Sequence, residues 1–102
     1  LGARLKLVHQ KDFSKTSTSP VNLWTVKDPE KLITRETFGE GMDPKDFCAI
    51  GTGIMDIQTI IDTANALGAE YIVLEQDHTQ LTQMESVRIS MDSFKKFSGL
   101  DW

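Results

Sequence analysis

Leu5-Lys6-Leu7-Val8-His9 and Tyr71-Ile72-Val73-Leu74-Glu75 are the two stretches on which the fold of this chain turns. Each is a short apolar run of strand length, and each ends on a side chain that can ligate a metal ion. In the first run Leu5, Leu7 and His9 share one face, with Lys6 and Val8 on the other. In the second, Ile72, Val73 and Leu74 make both faces apolar, as in a parallel strand covered on both sides. A helical pattern lies between the runs, so they are expected to pair in parallel through a βαβ crossover. Parallel strands bring their C-terminal ends to one edge, where open sheets and barrels keep their chemistry. His9 and Glu75 are expected to meet at that edge.

The helix before the second run is the clearest segment. Ile57, Ile60, Ile61, Ala64 and Leu67 recur at helical spacing, Asp56 stands at the N-cap position and Gly68 supplies the stop. After the second strand, Gln76 to Leu81 reads as a polar loop, and Thr82 with Glu85 as a capping box. The last helix then carries Met84, Val87, Met91 and Phe94 on one stripe, read as core.

Residues 14–55 form a long, irregular connection. It opens with the polar run from Ser14 to Pro20, offers a helix start at Asp28-Pro29 and repeats that signal at Asp43-Pro44. Gly39, Gly41, Gly51 and Gly53 break it. Its apolar residues Trp24, Phe38 and Phe47 read as a mini-core that anchors the loop, or as a lid over the site. The order is thus strand, long loop, helix, strand, short loop, helix. Two parallel strands do not make a stable domain, so the reading is the end of a larger α/β protein, with oligomerisation as the alternative. A start at Leu1, almost in a strand and without a methionine, is read as a missing N-terminal part.

Composition narrows the function classes. The chain has 102 residues, 39% of them hydrophobic and 25% charged, with a net charge of −4. A pI near 5.0 disfavours a general phosphate-backbone binder, so no nucleic-acid partner is expected. The one cysteine, Cys48, excludes an internal disulfide framework and fits a reducing cytoplasm. No apolar run reaches the roughly 18–20 residues of a membrane span, and no signal-peptide pattern precedes the first strand.

Several side chains are candidates for chemistry. Neighbouring strands lie about 4.8 Å apart, so His9 and Glu75 at equivalent heights can reach one cation, and imidazole and carboxylate both take divalent metals. The alternative is a partly buried histidine beside a solvated strand-end charge. Lys11 has the parity of His9 and can present a point charge to a phosphate or oxyanion, or be a solvated loop lysine. Asp12 either caps the loop or orients Lys11. Asp77 and His78 follow Glu75 on the same edge, with His78 a further ligand or base, or simply solvated. Gly51-Thr52-Gly53 hints at a phosphate-cradling turn but lacks the full glycine fingerprint, and a tight turn feeding a helix is the better reading. Cys48 has no activating neighbour in sequence and reads as packing.

Taken in order, Val8-His9-Gln10-Lys11-Asp12, the run Ile50-Gly51-Thr52-Gly53-Ile54-Met55-Asp56-Ile57, Val73-Leu74-Glu75-Gln76-Asp77, and a closing helix with Glu85-Ser86 and Ser90 resemble the C-terminal end of the sugar phosphate isomerase/epimerase family of xylose-isomerase-like barrels. The resemblance covers most of the chain outside residues 14–46. It implies an α/β fold in which residues 1–102 are the C-terminal part of one (β/α)8 TIM-barrel domain, its last two β/α units. It further implies a divalent metal ion (Mn, Mg, Zn or Co), with His9 and Glu75 as ligands, Glu75 also as general base, and Lys11 as a substrate contact. The implied activity is isomerisation or epimerisation of a sugar or sugar phosphate through an enediolate-like intermediate, with a small-molecule partner and a homo-oligomer as one arrangement. The other ligands would lie on earlier strands absent here, so this piece alone is expected to be inactive. The runner-up is an inosose-type polyol dehydratase on the same fold. A non-catalytic half-barrel binding module is a third reading, and it predicts no metal affinity.

Overall fold

A computed structural model describes residues 1–17, 30, 32, 34, 35, 37 and 43–102. Within them the chain forms a 3-10 turn (Gly2–Arg4), strand β1 (Leu7–Gln10), strand β2 (Asp12–Phe13), a second 3-10 turn (Pro44–Asp46), strand β3 (Phe47–Cys48), helix α1 (Ile57–Ala66), strand β4 (Tyr71–Leu74) and helix α2 (Gln83–Phe94). The expected helix start at Asp28-Pro29, the residues Trp24 and Phe38, and the breaks at Gly39 and Gly41 lie outside the described residues.

β1 and β4 pair in parallel, in the register Leu7–Tyr71, Val8–Ile72, His9–Val73 and Gln10–Leu74. The molecule is therefore mixed α/β with a parallel sheet, as the two apolar runs required. The first strand starts later than its sequence suggests, because Leu1 to Leu5 are taken up by the 3-10 turn and its closing bond from Leu5 N to Gly2 O. The rest of the described connection contributes a second, antiparallel pair, β2 with β3, which clamps the base of the long excursion. Its closing turn is the one that Asp43-Pro44 announced: the Asp43 carboxylate accepts from Lys45 N at 2.9 Å, and Asp46 reciprocates toward Asp43 N.

The helices cover one face of the parallel pair. Ile50, Ile57, Ile61 and Phe94 form the buried centre, and Ile72 and Leu74 pack on it from β4 with Met91, Phe97 and Leu100. α1 follows its predicted pattern: Asp56 caps Thr59 N at 3.1 Å, and Ile57, Ile61 and Ala64 are buried. Leu67, at the C-terminal end, is exposed instead of core. The opposite sheet face, with Leu7, Tyr71 and Val73, is exposed and carries no helix among the described residues, so the apolar character of both faces of β4 does not mean that both are packed.

α2 departs from its sequence reading. Met84 (79% exposed) and Val87 (45% exposed) point outward, and the buried face consists of Ser86, Ser90, Ser93 and Phe94. The reason is close approach. Ser90 Oγ accepts from Ile50 N at 3.0 Å, and a Cβ on Gly51 would sit 2.7 Å from Ser93 Cβ. Larger side chains on that face would hold the helix away from the 49–51 turn. Ser90 finds its partner in Ile50 N and Ser86 in Gln76 Oε1, so these small polar side chains can be buried where hydropathy alone places methionines.

The start of α2 is held by Thr82, whose hydroxyl accepts from Glu85 N at 3.3 Å. Thr82→Ala is expected to lower unfolding free energy by about 1 kcal/mol, read as a lower urea midpoint at unchanged slope.

Candidate functional site

The parallel register brings the ends of β1 and β4 to one edge, and the backbone continues the ladder one residue further, with Glu75 N donating to Gln10 O at 3.0 Å. His9 Nδ1 lies 2.5 Å from Glu75 Oε2. The second carboxylate oxygen, Oε1, is 3.2 Å from Lys11 Nζ, and Lys11 also reaches Asp77 Oδ2 at 2.6 Å. Imidazole, carboxylate, ammonium and carboxylate thus form a continuous chain. It lies on the side of the sheet that the helices leave bare, since Leu7, His9, Tyr71 and Val73 share that face. Sequence parity placed His9, Lys11 and Glu75 together; Asp77 was placed on the edge but given no task, and it proves to be Lys11's closest partner.

The Asp77 hydrogen bond raises the Lys11 pKa above the ordinary lysine value, partial burial works against it, and Glu75 adds to the rise. Lys11 is therefore a fixed cation at neutral pH. A raised pKa stabilises the fold fully below the ordinary lysine value near 10.5, and that stabilisation is lost as pH climbs through the folded-state value. The stability difference between the parent and Lys11→Met is expected to be constant from pH 7 to 10 and to shrink above it. Because the partners are partly solvated, the difference should stay below about 1 kcal/mol. Paired denaturant titrations across this range would check both statements.

His78 does not join the cluster. Its ring packs edge-on against Phe47, with centroids 5.3 Å apart, and its carbonyl accepts from Gln76 Nε2 at 2.8 Å. Phe47 itself is buried, so the one described aromatic of the long connection serves to anchor it. Cys48 is half-buried, and burial pushes its thiol pKa up, which fits a packing role over a reactive one.

The Gly51-Thr52-Gly53 turn is not open to a ligand phosphate. Asp12 fills it: Gly51 N and Gly53 N both donate to Asp12 Oδ2 at 2.9 Å, and Met55 N donates to Oδ1 at 3.1 Å. Asp12 thus faces the loop and not Lys11. The signal in the sequence was a carboxylate at a strand end and a glycine-paired turn some forty residues on, which only the folded chain brings together.

His9 Nδ1 and Glu75 Oε2 engage each other directly, and both are atom types that a divalent ion can take as ligands. Bond lengths of about 2.0–2.2 Å would require the two atoms to separate slightly, which the exposure of His9 permits. Among the described residues no group of three or more His, Cys, Asp or Glu side chains is placed to hold a metal ion. Among the described residues no helix is long and apolar enough to cross a membrane. No protein-family model, curated protein or solved structure matches the chain.

Proposed function

We propose that the chain supplies the last two β/α units of a xylose-isomerase-like (β/α)8 barrel, and that the His9–Glu75–Lys11 edge is its share of a metal-assisted sugar isomerase or epimerase site. The observation that carries the reading is the register: it sets His9 Nδ1 2.5 Å from Glu75 Oε2 at the C-terminal edge of parallel strands. A second observation supports the barrel. Helices cover one face of the β1–β4 pair, and the other, which bears Leu7, Tyr71, Val73 and His9, is bare. In a barrel that face would look inward.

In this reading His9 and Glu75 would hold a divalent ion, whose bound charge polarises a sugar carbonyl and its neighbouring hydroxyl. Glu75 would take a proton from the carbon beside the carbonyl and return it to the carbonyl carbon, while the neighbouring hydroxyl's proton passes to the former carbonyl oxygen. Lys11, kept protonated by Asp77, cannot act as the base at neutral pH; its charge would orient a substrate oxygen. Remaining ligands and the acid partner would come from strands outside these 102 residues.

Titration of Mn2+ and of Zn2+ into metal-stripped protein that contains this chain in its complete domain tests the proposal. About one ion per domain is expected, with affinity weakened at least tenfold to a hundredfold by either His9→Ala or Glu75→Ala, since even outer-shell partners of a metal carry that much. Unchanged affinity in both variants, or no affinity in the parent, would overturn it.

A further inference from the structure

The turn from Gly51 to Met55 has the form of an anion receptor, and the anion it holds belongs to the chain. Asp12 is 4% exposed. Besides the three loop donors, Phe13 N donates to its Oδ1 at 2.8 Å, so four backbone N–H groups surround one carboxylate. Successive N–H groups turned inward in this way make concave sites that bind phosphate or carboxylate in other settings. Gly53 is part of the design, because a Cβ there would fall on the Asp12 carboxylate and on the Phe13 carbonyl oxygen. The same carbonyl accepts from Ile54 N at 2.9 Å, so loop and strand end are joined from both sides.

What this arrangement holds is the point where the chain leaves the parallel sheet. Lys11 and Asp12 are neighbours with opposite engagements: Lys11 reaches Glu75 and Asp77, and Asp12 reaches the turn. With Asp12 anchored, the backbone between β1 and β2 cannot rotate Lys11 away from the edge.

We propose that Asp12 is a positioning residue: its carboxylate occupies the receptor made by the Gly51, Gly53 and Met55 N–H groups, and so sets Lys11 against Glu75 and Asp77. The receptor stands on its own geometry; the functional value of placing Lys11 rests on the reading of that edge as a sugar site.

A receptor emptied of its own carboxylate should accept a small foreign one. In metal-free Asp12→Ala protein the melting midpoint is expected to fall by at least about 10 °C, through several buried donors left unpaired. Sodium formate should recover part of that loss with saturation, and sodium chloride at equal ionic strength should not. Ser90→Ala, which removes the acceptor of one loop N–H elsewhere, should show no formate response. Nuclear Overhauser contacts between the Lys11 side-chain methylenes and the Asp77 methylene, which report the Lys11–Asp77 approach directly, should weaken in Asp12→Ala and return with formate. A formate effect equal in both variants, or Lys11–Asp77 contacts indifferent to Asp12→Ala, would overturn the proposal. Should Asp12→Ala fail to fold, hydrogen exchange in the parent decides. Protected Gly51, Gly53 and Met55 amides support the receptor, and exchange at free-loop rates overturns it. Every readout is on metal-free protein, so absent metal affinity would end the isomerase reading and leave this one intact.

Discussion

Glu75→Gln is expected to lower turnover by two to four orders of magnitude and to leave the fold in place. The magnitude follows from the role proposed for it: a positioned general base contributes on the order of 10²–10⁴ in rate, and an amide of nearly the same shape cannot take the proton. The fold should survive because Glu75 lies outside the buried centre, and its share of the sheet is a backbone bond to Gln10 O that the side chain does not touch. Lys11, 2.6 Å from Asp77 in the parent, still has that carboxylate as a partner when the charge on Glu75 is removed. Steady-state kinetics on the complete domain, together with washout of deuterium from the substrate carbon, would separate chemistry from binding. A kcat that collapses while KM changes little places Glu75 at the proton transfer. An increase in KM with kcat intact would make it a ligand for the substrate only, and unchanged turnover would remove Glu75 from the chemistry altogether. Glu75→Asp provides a graded control, since it keeps the charge and withdraws it by one methylene.

Much of this edge is legible in the sequence, for a simple reason. Strand parity and parallel pairing are local and repetitive, so two five-residue runs suffice to bring His9, Lys11 and Glu75 together. α1 was legible on the same ground, a cap at Asp56 and isoleucines at helical spacing. The misread features share a different property. Ser90 and Ser93 are buried because the 49–51 turn comes close to α2, and Ser86 hydrogen-bonds Gln76 after β4; closeness between segments forty residues apart leaves no periodic trace. The Met84–Val87 stripe has helical spacing like a core, but spacing cannot tell which face another element will cover. Asp12 is the same case in polar form: its partners are backbone N–H groups, which carry no sequence identity at all. Asp77 lay in plain view on the edge, and its bond to Lys11 depends on how the loop after β4 turns, which the residues do not spell out.

Gly53→Ala is expected to be among the most damaging single substitutions in the chain, at about 3 kcal/mol or more. The obvious reason for a glycine, a left-handed backbone, does not apply here, because the positive φ angles among the described residues belong to Gly2, Gly51, Gly68 and Gly99. The reason is space. The added methyl would overlap the Asp12 carboxylate and the Phe13 carbonyl oxygen, and the second of these is backbone held in place by Ile54 N. Relief therefore requires Asp12 to move out. That leaves the N–H groups of Gly51, Gly53 and Met55 without their acceptor and exposes a buried carboxylate to an environment arranged for something else. Overpacking costs about 1–3 kcal/mol, and each unpaired buried donor adds on the order of another 1 kcal/mol. Gly68→Ala is the informative comparison. Its φ of 76° makes alanine strained, but nothing lies within 4 Å of a Cβ there, so the cost should be only about 1–2 kcal/mol of backbone preference. Urea unfolding of the two variants side by side distinguishes steric closure from conformational strain. If Gly53→Ala loses no more than Gly68→Ala, the turn and Asp12 can part cheaply, and the anchoring of Lys11 through Asp12 falls with them. If the loss is larger and accompanied by weakened contacts between the Lys11 and Asp77 side chains, a turn that resembles an incomplete phosphate loop is instead a fastener for the edge that holds Lys11.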